Sequence, residues 1–159
     1  EDPMKGKVLI VEDYEDWRNL LGGMLRRAGH EVTAVATLDE AMAHVDQTKD
    51  LDLAIVDIRL VETDERNQDG MHLLAQINKK QAFTRVIMIT GHGTMETQRK
   101  AFREFQAFDF FRKEQFDSDE FRQGVGEAIE QAILERQAWR EKSYMNGRNF
   151  ELWQRKNKG

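Results

Sequence analysis

Five short runs of β-branched and aliphatic residues recur along the chain, each separated from the next by a longer segment whose apolar positions have helical spacing. This alternation constrains the fold more than any other feature. Strands joined by helical crossovers are driven into a parallel sheet with helices on both faces. The expected strands are residues 7–11, 31–35, 53–57, 86–90 and 108–112. Three are almost wholly apolar, as strands buried on both faces are. The segment 14–28 carries Trp17, Leu20, Leu21, Met24 and Leu25 on one helical face and meets a natural stop at Gly29. Thr37 and Glu40 form a capping box at the head of a second helix, with Ala41, Met42 and Val45 facing inward. A third helix starts at Asp69-Gly70 and carries Met71, Leu74 and Ile77; a fourth lies between Thr94 and Glu104. The last begins near Asp117, with Glu120 completing another capping box and Phe121, Val125, Ile129 and Ala132 forming an apolar stripe. Gly124 and Gly126 weaken that helix by roughly 1 kcal/mol each relative to alanine.

At 159 residues, one domain is the default expectation. The expected division is a domain over 5–133 and an extended C-terminal helix or tail over 134–159, where the pattern turns polar and Asn146-Gly147 is a turn signal. With no cysteine, disulfides and thiolate chemistry are excluded, and any metal must be held by oxygen or histidine. The apolar runs are too short to span a bilayer and no signal-peptide pattern opens the chain, so a cytoplasmic protein without membrane contact is expected. A net charge of −5 argues against nucleic acid as a general partner. The tail differs: from Arg136 onward seven basic residues face two acidic ones. It reads as a helix extension making partner contact, such as a homodimer, as a solvated face, or as a weak nucleic-acid contact.

In open parallel sheets, functional groups gather where the strands end and their loops converge. The charged residues of this chain fall there. The first run ends in Glu12-Asp13, the third in Asp57, the fourth in Thr90, and the fifth is followed by Lys113. Carboxylates sharing one crevice repel each other unless a hard cation joins them, and Mg²⁺ prefers oxygen ligands. A lysine and a threonine hydroxyl beside them can hold phosphoryl oxygens, and a carboxylate can attack phosphorus. Asp13 also has a structural reading, as a cap of the first helix. Asp57 is harder to explain that way, because a carboxylate ending an apolar strand is costly unless paired. Thr90 and Lys113 gain meaning only from their joint placement.

These residues resemble the phosphoacceptor receiver domains of two-component signalling over about residues 7–133. The family pattern is an acidic pair after strand one, an aspartate after strand three, Thr or Ser after strand four and Lys after strand five, met here by Glu12-Asp13, Asp57, Thr90 and Lys113. The resemblance implies an α/β, flavodoxin-like, doubly wound (βα)5 fold with a five-stranded parallel sheet. It implies that a sensor histidine kinase or phosphotransfer protein phosphorylates Asp57. Glu12, Asp13, Asp57 and the backbone carbonyl of Arg59 would hold Mg²⁺, with Thr90 and Lys113 gripping the phosphoryl group. Phe110 would be a switch ring, although core packing is an equal reading. His92 and the Arg59 side chain would modulate the lifetime of the phosphoryl group. Such a domain is a signalling module and not an enzyme in the ordinary sense, and output through an effector protein is expected because no DNA-binding module follows.

The chain departs from the family in two places. Lys113 is followed by Glu114 and not proline, so a trans bond is expected there. Between Asp57 and Asp69 the chain also lacks the usual proline and inserts the polar stretch 62–68, expected to be an exposed loop. Two other readings stay open: a receiver-like scaffold for protein interaction or dimerisation without phosphorylation, and an aspartate-nucleophile hydrolase. The hydrolase needs a second acid two residues after the nucleophile, where Arg59 stands.

Overall fold

The computed structural model describes residues 4–61, 69–91 and 93–157; the 62–68 insertion and His92 lie outside them. Five parallel strands, β1 (Lys7–Val11), β2 (Glu31–Val35), β3 (Leu53–Asp57), β4 (Arg85–Thr90) and β5 (Asp109–Arg112), form one sheet in the order β2-β1-β3-β4-β5. Around them wind α1 (Glu15–Arg27), α2 (Leu38–Gln47), the short α3 (Ile58–Val61), α4 (Asp69–Lys80), α5 (Met95–Arg103) and α6 (Ser118–Asn157). This is the doubly wound flavodoxin-like arrangement expected from the sequence.

Strand alternation builds two cores. Leu9, Val11, Ala54, Val56 and Met88 point to one face and pack with Val45 of α2 and Leu73 and Ile77 of α4. Val8, Ile10, Leu53, Ile55, Ile87 and Ile89 point to the other and pack with Leu21 and Leu25 of α1 and Phe121, Val125 and Ile129 of α6. With both faces covered, the central strands leave no room for polar side chains until they end. That is why the carboxylates sit at the tips.

The caps behave as the residue types dictate. Thr37 Oγ1 accepts from the Glu40 amide at 3.2 Å, the N-cap bond of the expected capping box, and donates to the Glu40 carboxylate at 3.0 Å. Thr94 caps α5 through the Thr97 amide, and Asp117 accepts from the amides of Asp119 and Glu120. Gly29 ends α1 at φ 94°, a left-handed conformation that favours glycine. Gly124 has a packing reason for its place in α6: a Cβ there would lie 2.9 Å from Asp109 Oδ2 and 3.0 Å from Phe111 Cζ.

Three expectations need adjustment. The turn signal at Asn146-Gly147 produces no turn, and α6 runs through it as one 40-residue helix. A residue pair with a weak helical preference, costing roughly 1 kcal/mol at glycine, does not break a helix already nucleated and docked over its first half. The turn of helix α3 directly after Asp57 was not foreseen, since four residues carry no periodic signal. The basic tail is less free than its charge suggests. Arg136 Nη1 is 2.7 Å from Asp52 and Arg140 Nη2 is 2.9 Å from Asp50, so two of its cations fasten α6 to the amino-terminal end of the sheet. The Lys113-Glu114 bond is trans, as expected; no cis peptide occurs among the described residues.

Candidate metal centre

The chain leaves β1 toward β2 on one side and later places β3 on its other side, so a crevice opens between the tips of β1 and β3. Glu12 follows β1 directly and is fully buried; its amide donates to Val35 O at 3.0 Å, which fixes the backbone at this turn. Asp57 closes β3, in register with Ile89 of β4, and is 1% exposed. Asp13 stands at the rim with its side chain 42% exposed. One carboxylate oxygen from each of Glu12, Asp13 and Asp57 lies within 4.8 Å of the other two.

Among the described residues, two cations meet these anions. Lys113, beginning the 3-10 turn after β5, reaches in with its side chain 8% exposed; its Nζ is 2.7 Å from Glu12 Oε2 and 3.3 Å from Asp57 Oδ2. The contact to Glu12 Oε2 is a close ion pair, and Oε1 of the same carboxylate accepts from the Tyr14 amide at 3.0 Å. Burial pushes the Glu12 carboxyl above its ordinary range, opposed by Lys113 and the Tyr14 amide. The Arg59 amide donates to Asp57 Oδ1 at 2.9 Å, and its guanidinium reaches both oxygens of Asp13, at 2.9 and 3.1 Å.

Thr90, 4% exposed at the tip of β4, lines the same cavity of about 750 Å³ as Asp57, Arg59 and Lys113. Six residues named from sequence (Glu12, Asp13, Asp57, Arg59, Thr90 and Lys113) thus converge. Phe110 does not join them: half-buried, it packs against the core on the α4 side. Tyr14 is the residue that sequence reading missed. Its ring lies 4.9 Å from the Arg59 guanidinium carbon and 5.0 Å from Lys113 Nζ, and Trp17 is 5.3 Å from the same nitrogen. The available signal was its position, first after the acidic pair and at the mouth of α1.

The donor set suits a hard divalent cation. It consists only of oxygens, and among the described residues three carboxylates outnumber the two neighbouring cations. No helix among the described residues is long and apolar enough to cross a membrane.

Comparison with known proteins agrees with this geometry. The family model of the response regulator receiver domain matches residues 8–126. A putative NtrX-like response regulator of Rickettsia bellii is 34% identical over 106 residues, covering 67% of this chain and 21% of that one. The transcriptional regulatory protein GlrR of Escherichia coli is 33% identical over 135 residues, covering 84% of this chain and 29% of its own length. A crystal structure of NtrX from Brucella abortus superposes with a TM-score of 0.72 at 32% identity, over 87% of this chain and 29% of that one. A CheY-like receiver from Methanospirillum hungatei shares the fold at a TM-score of 0.68 and 23% identity. The chain therefore spans less than a third of the NtrX-like and GlrR relatives it resembles. Receiver domains of this kind are signalling domains of two-component systems that bind Mg²⁺ through acidic residues, and the chain belongs to the response regulator receiver domain family.

Proposed function

We propose that the chain is a phosphorylation switch in which Asp57 accepts a phosphoryl group from a sensor histidine kinase or phosphotransfer protein. The observation that carries this reading is the burial of Asp57 at a strand tip, within 4.8 Å of two further carboxylates and 3.3 Å from Lys113. A carboxylate oxygen of Asp57 attacks phosphorus; the new O–P bond forms as the P–N bond to the donor imidazole breaks, and the imidazole leaves. Glu12, Asp13, Asp57 and the Arg59 backbone carbonyl would hold Mg²⁺, which supplies charge neutralisation between carboxylates and phosphoryl oxygens. Lys113 exchanges part of its pairing with Asp57 for a phosphoryl oxygen, and the Thr90 hydroxyl donates to another. Phe110 would follow Thr90 as the switch ring, with His92 and Arg59 setting how long the acyl phosphate lasts.

In this reading residues 5–133 are the receiver unit and 134–159 an extension of α6 toward a partner, either an effector protein or a second copy. Exposed Tyr144, Met145 and Leu152 on that extension suit such contact. A cytoplasmic setting belongs to the same proposal.

The test is incubation with Mg²⁺ and a small phosphodonor. A single hydroxylamine-labile phosphoryl group, absent from Asp57→Asn and after chelation, is the expected result. No labelling would leave the fold as a scaffold for protein contact.

A further inference from the structure

The two cations of the site are held in different ways. Lys113 is buried and bound from several sides: Glu12, Asp57 and the rings of Tyr14 and Trp17 all lie within reach of its Nζ. The Arg59 side chain is 53% exposed and enters from the rim. Its Nη2 is 2.9 and 3.1 Å from the two Asp13 oxygens and 3.7 Å from Asp57 Oδ2, so one guanidinium nitrogen spans the two carboxylates on the open side of the crevice. Tyr14 holds it there: its hydroxyl accepts from Arg59 Nη1 at 3.2 Å and its ring lies 4.9 Å from the guanidinium carbon.

A divalent ion bound by Asp13 and Asp57 needs the space and the lone pairs that this guanidinium uses. Mg²⁺ sits about 2.0–2.1 Å from its oxygen ligands and keeps several waters around it. An arginine nitrogen at hydrogen-bond distance from both Asp13 oxygens would replace those waters and add like charge a few ångströms from the metal. Resting on the reading of the crevice as a Mg²⁺ site, we infer that the Arg59 side chain is a resident counter-ion of that site, clamped by Tyr14, which Mg²⁺ must displace in order to bind. Lys113 remains in place through the exchange. Arg59 is suited to leave because its aliphatic stem runs at the surface and its head passes directly into solvent. The affinity for the divalent ion is thereby set below that of the bare carboxylates.

Mg²⁺ titrations of the full chain followed by Trp17 fluorescence, and independently by the rise in melting temperature with Mg²⁺, test the exchange. Arg59→Met is expected to lower the Mg²⁺ dissociation constant by roughly two- to fivefold, the range of a partly exposed ion pair. Arg59→Lys, which keeps the charge and loses the planar fork, is expected to lower it less, and Tyr14→Phe, which keeps the ring and loses the hydroxyl acceptor, less again. Without Mg²⁺, Arg59→Met should melt below wild type, since the three carboxylates then lose one of the two cations that meet them among the described residues. Binding of equal or weaker affinity in Arg59→Met overturns the exchange and leaves the metal site standing. Silence of both readouts in wild type and Arg59→Met alike overturns the metal site and the exchange with it.

Discussion

The two ends of the sheet treat buried charge in opposite ways. At the amino-terminal end Asp52, 4% exposed, has both oxygens used: Oδ2 accepts from the Lys7 amide at 2.8 Å and Oδ1 from Arg136 Nη1 at 2.7 Å. Arg136 spends a second nitrogen on Leu51 O, and Gln81 donates to Val45 O and Thr48 O while accepting from the Leu51 amide. At the carboxyl end, among the described residues, three carboxylates share two cations, Lys113 and Arg59. Completed pairing is what a fold needs to hold α6 and α4 against the strands. Incomplete pairing leaves a site where an added cation and phosphoryl group gain something. The difference teaches where stability and function were separated along the same five strands.

The comparison breaks first at Arg136. Removing it leaves Asp52 buried with half its partners, so Arg136→Met is expected to cost about 3–5 kcal/mol, the range for opening a buried ion pair. Urea unfolding at pH 7 measures this directly, and a loss below about 1 kcal/mol would show that water reaches Asp52 and that this end is no better paired than the other.

The carboxyl end should answer differently. Asp57→Asn removes one of three mutually repelling carboxylates while keeping the shape and an acceptor for the Arg59 amide. In chelator, its stability is expected to rise or to stay within about 1 kcal/mol of wild type, as for groups kept for function at a cost to the fold. A destabilisation matching that of Arg136→Met would make Asp57 a structural residue and erase the contrast.

How far each end was legible from sequence follows from the range of the interactions. Asp57, Glu12 and Lys113 were readable because a polar residue ending an apolar run can only sit at a strand tip, and the strand order sends those tips to one crevice. Thr37 and Glu40 were readable because an N-cap bond is made within four residues. Arg136 read only as one charge of a basic tail; its partner Asp52 is 84 residues away, and nothing local marks such a pair. The Arg59–Tyr14 clasp is also long-range, joining residues 45 apart. Asn146-Gly147 misled for the reverse reason, since a local signal was outweighed by the helix already formed before it.

The smallest expected effect sharpens the contrast by titration. His30 belongs to the paired end: its Nδ1 accepts from the Gly6 amide at 3.1 Å, which requires that nitrogen to be unprotonated. Burial lowers its pKa below the ordinary value of 6.5, and Lys5 lowers it further, against a weaker opposing pull from Asp52. Well above 6.5 the ring is neutral in the folded and the unfolded chain, and its contribution to stability is fully present. As pH falls below that value the unfolded chain takes up the proton first, and stability is lost until the folded ring protonates as well. His44 shifts in the same direction through burial and adds to the slope, so wild type alone does not isolate His30. His30→Asn keeps a short acceptor for the Gly6 amide without a titrating ring. Its unfolding free energy should decline less than that of wild type between pH 7 and about pH 5.5. Parallel curves would mean that the ring is protonated in the folded chain without loss, and that pairing at this end does not depend on a neutral histidine.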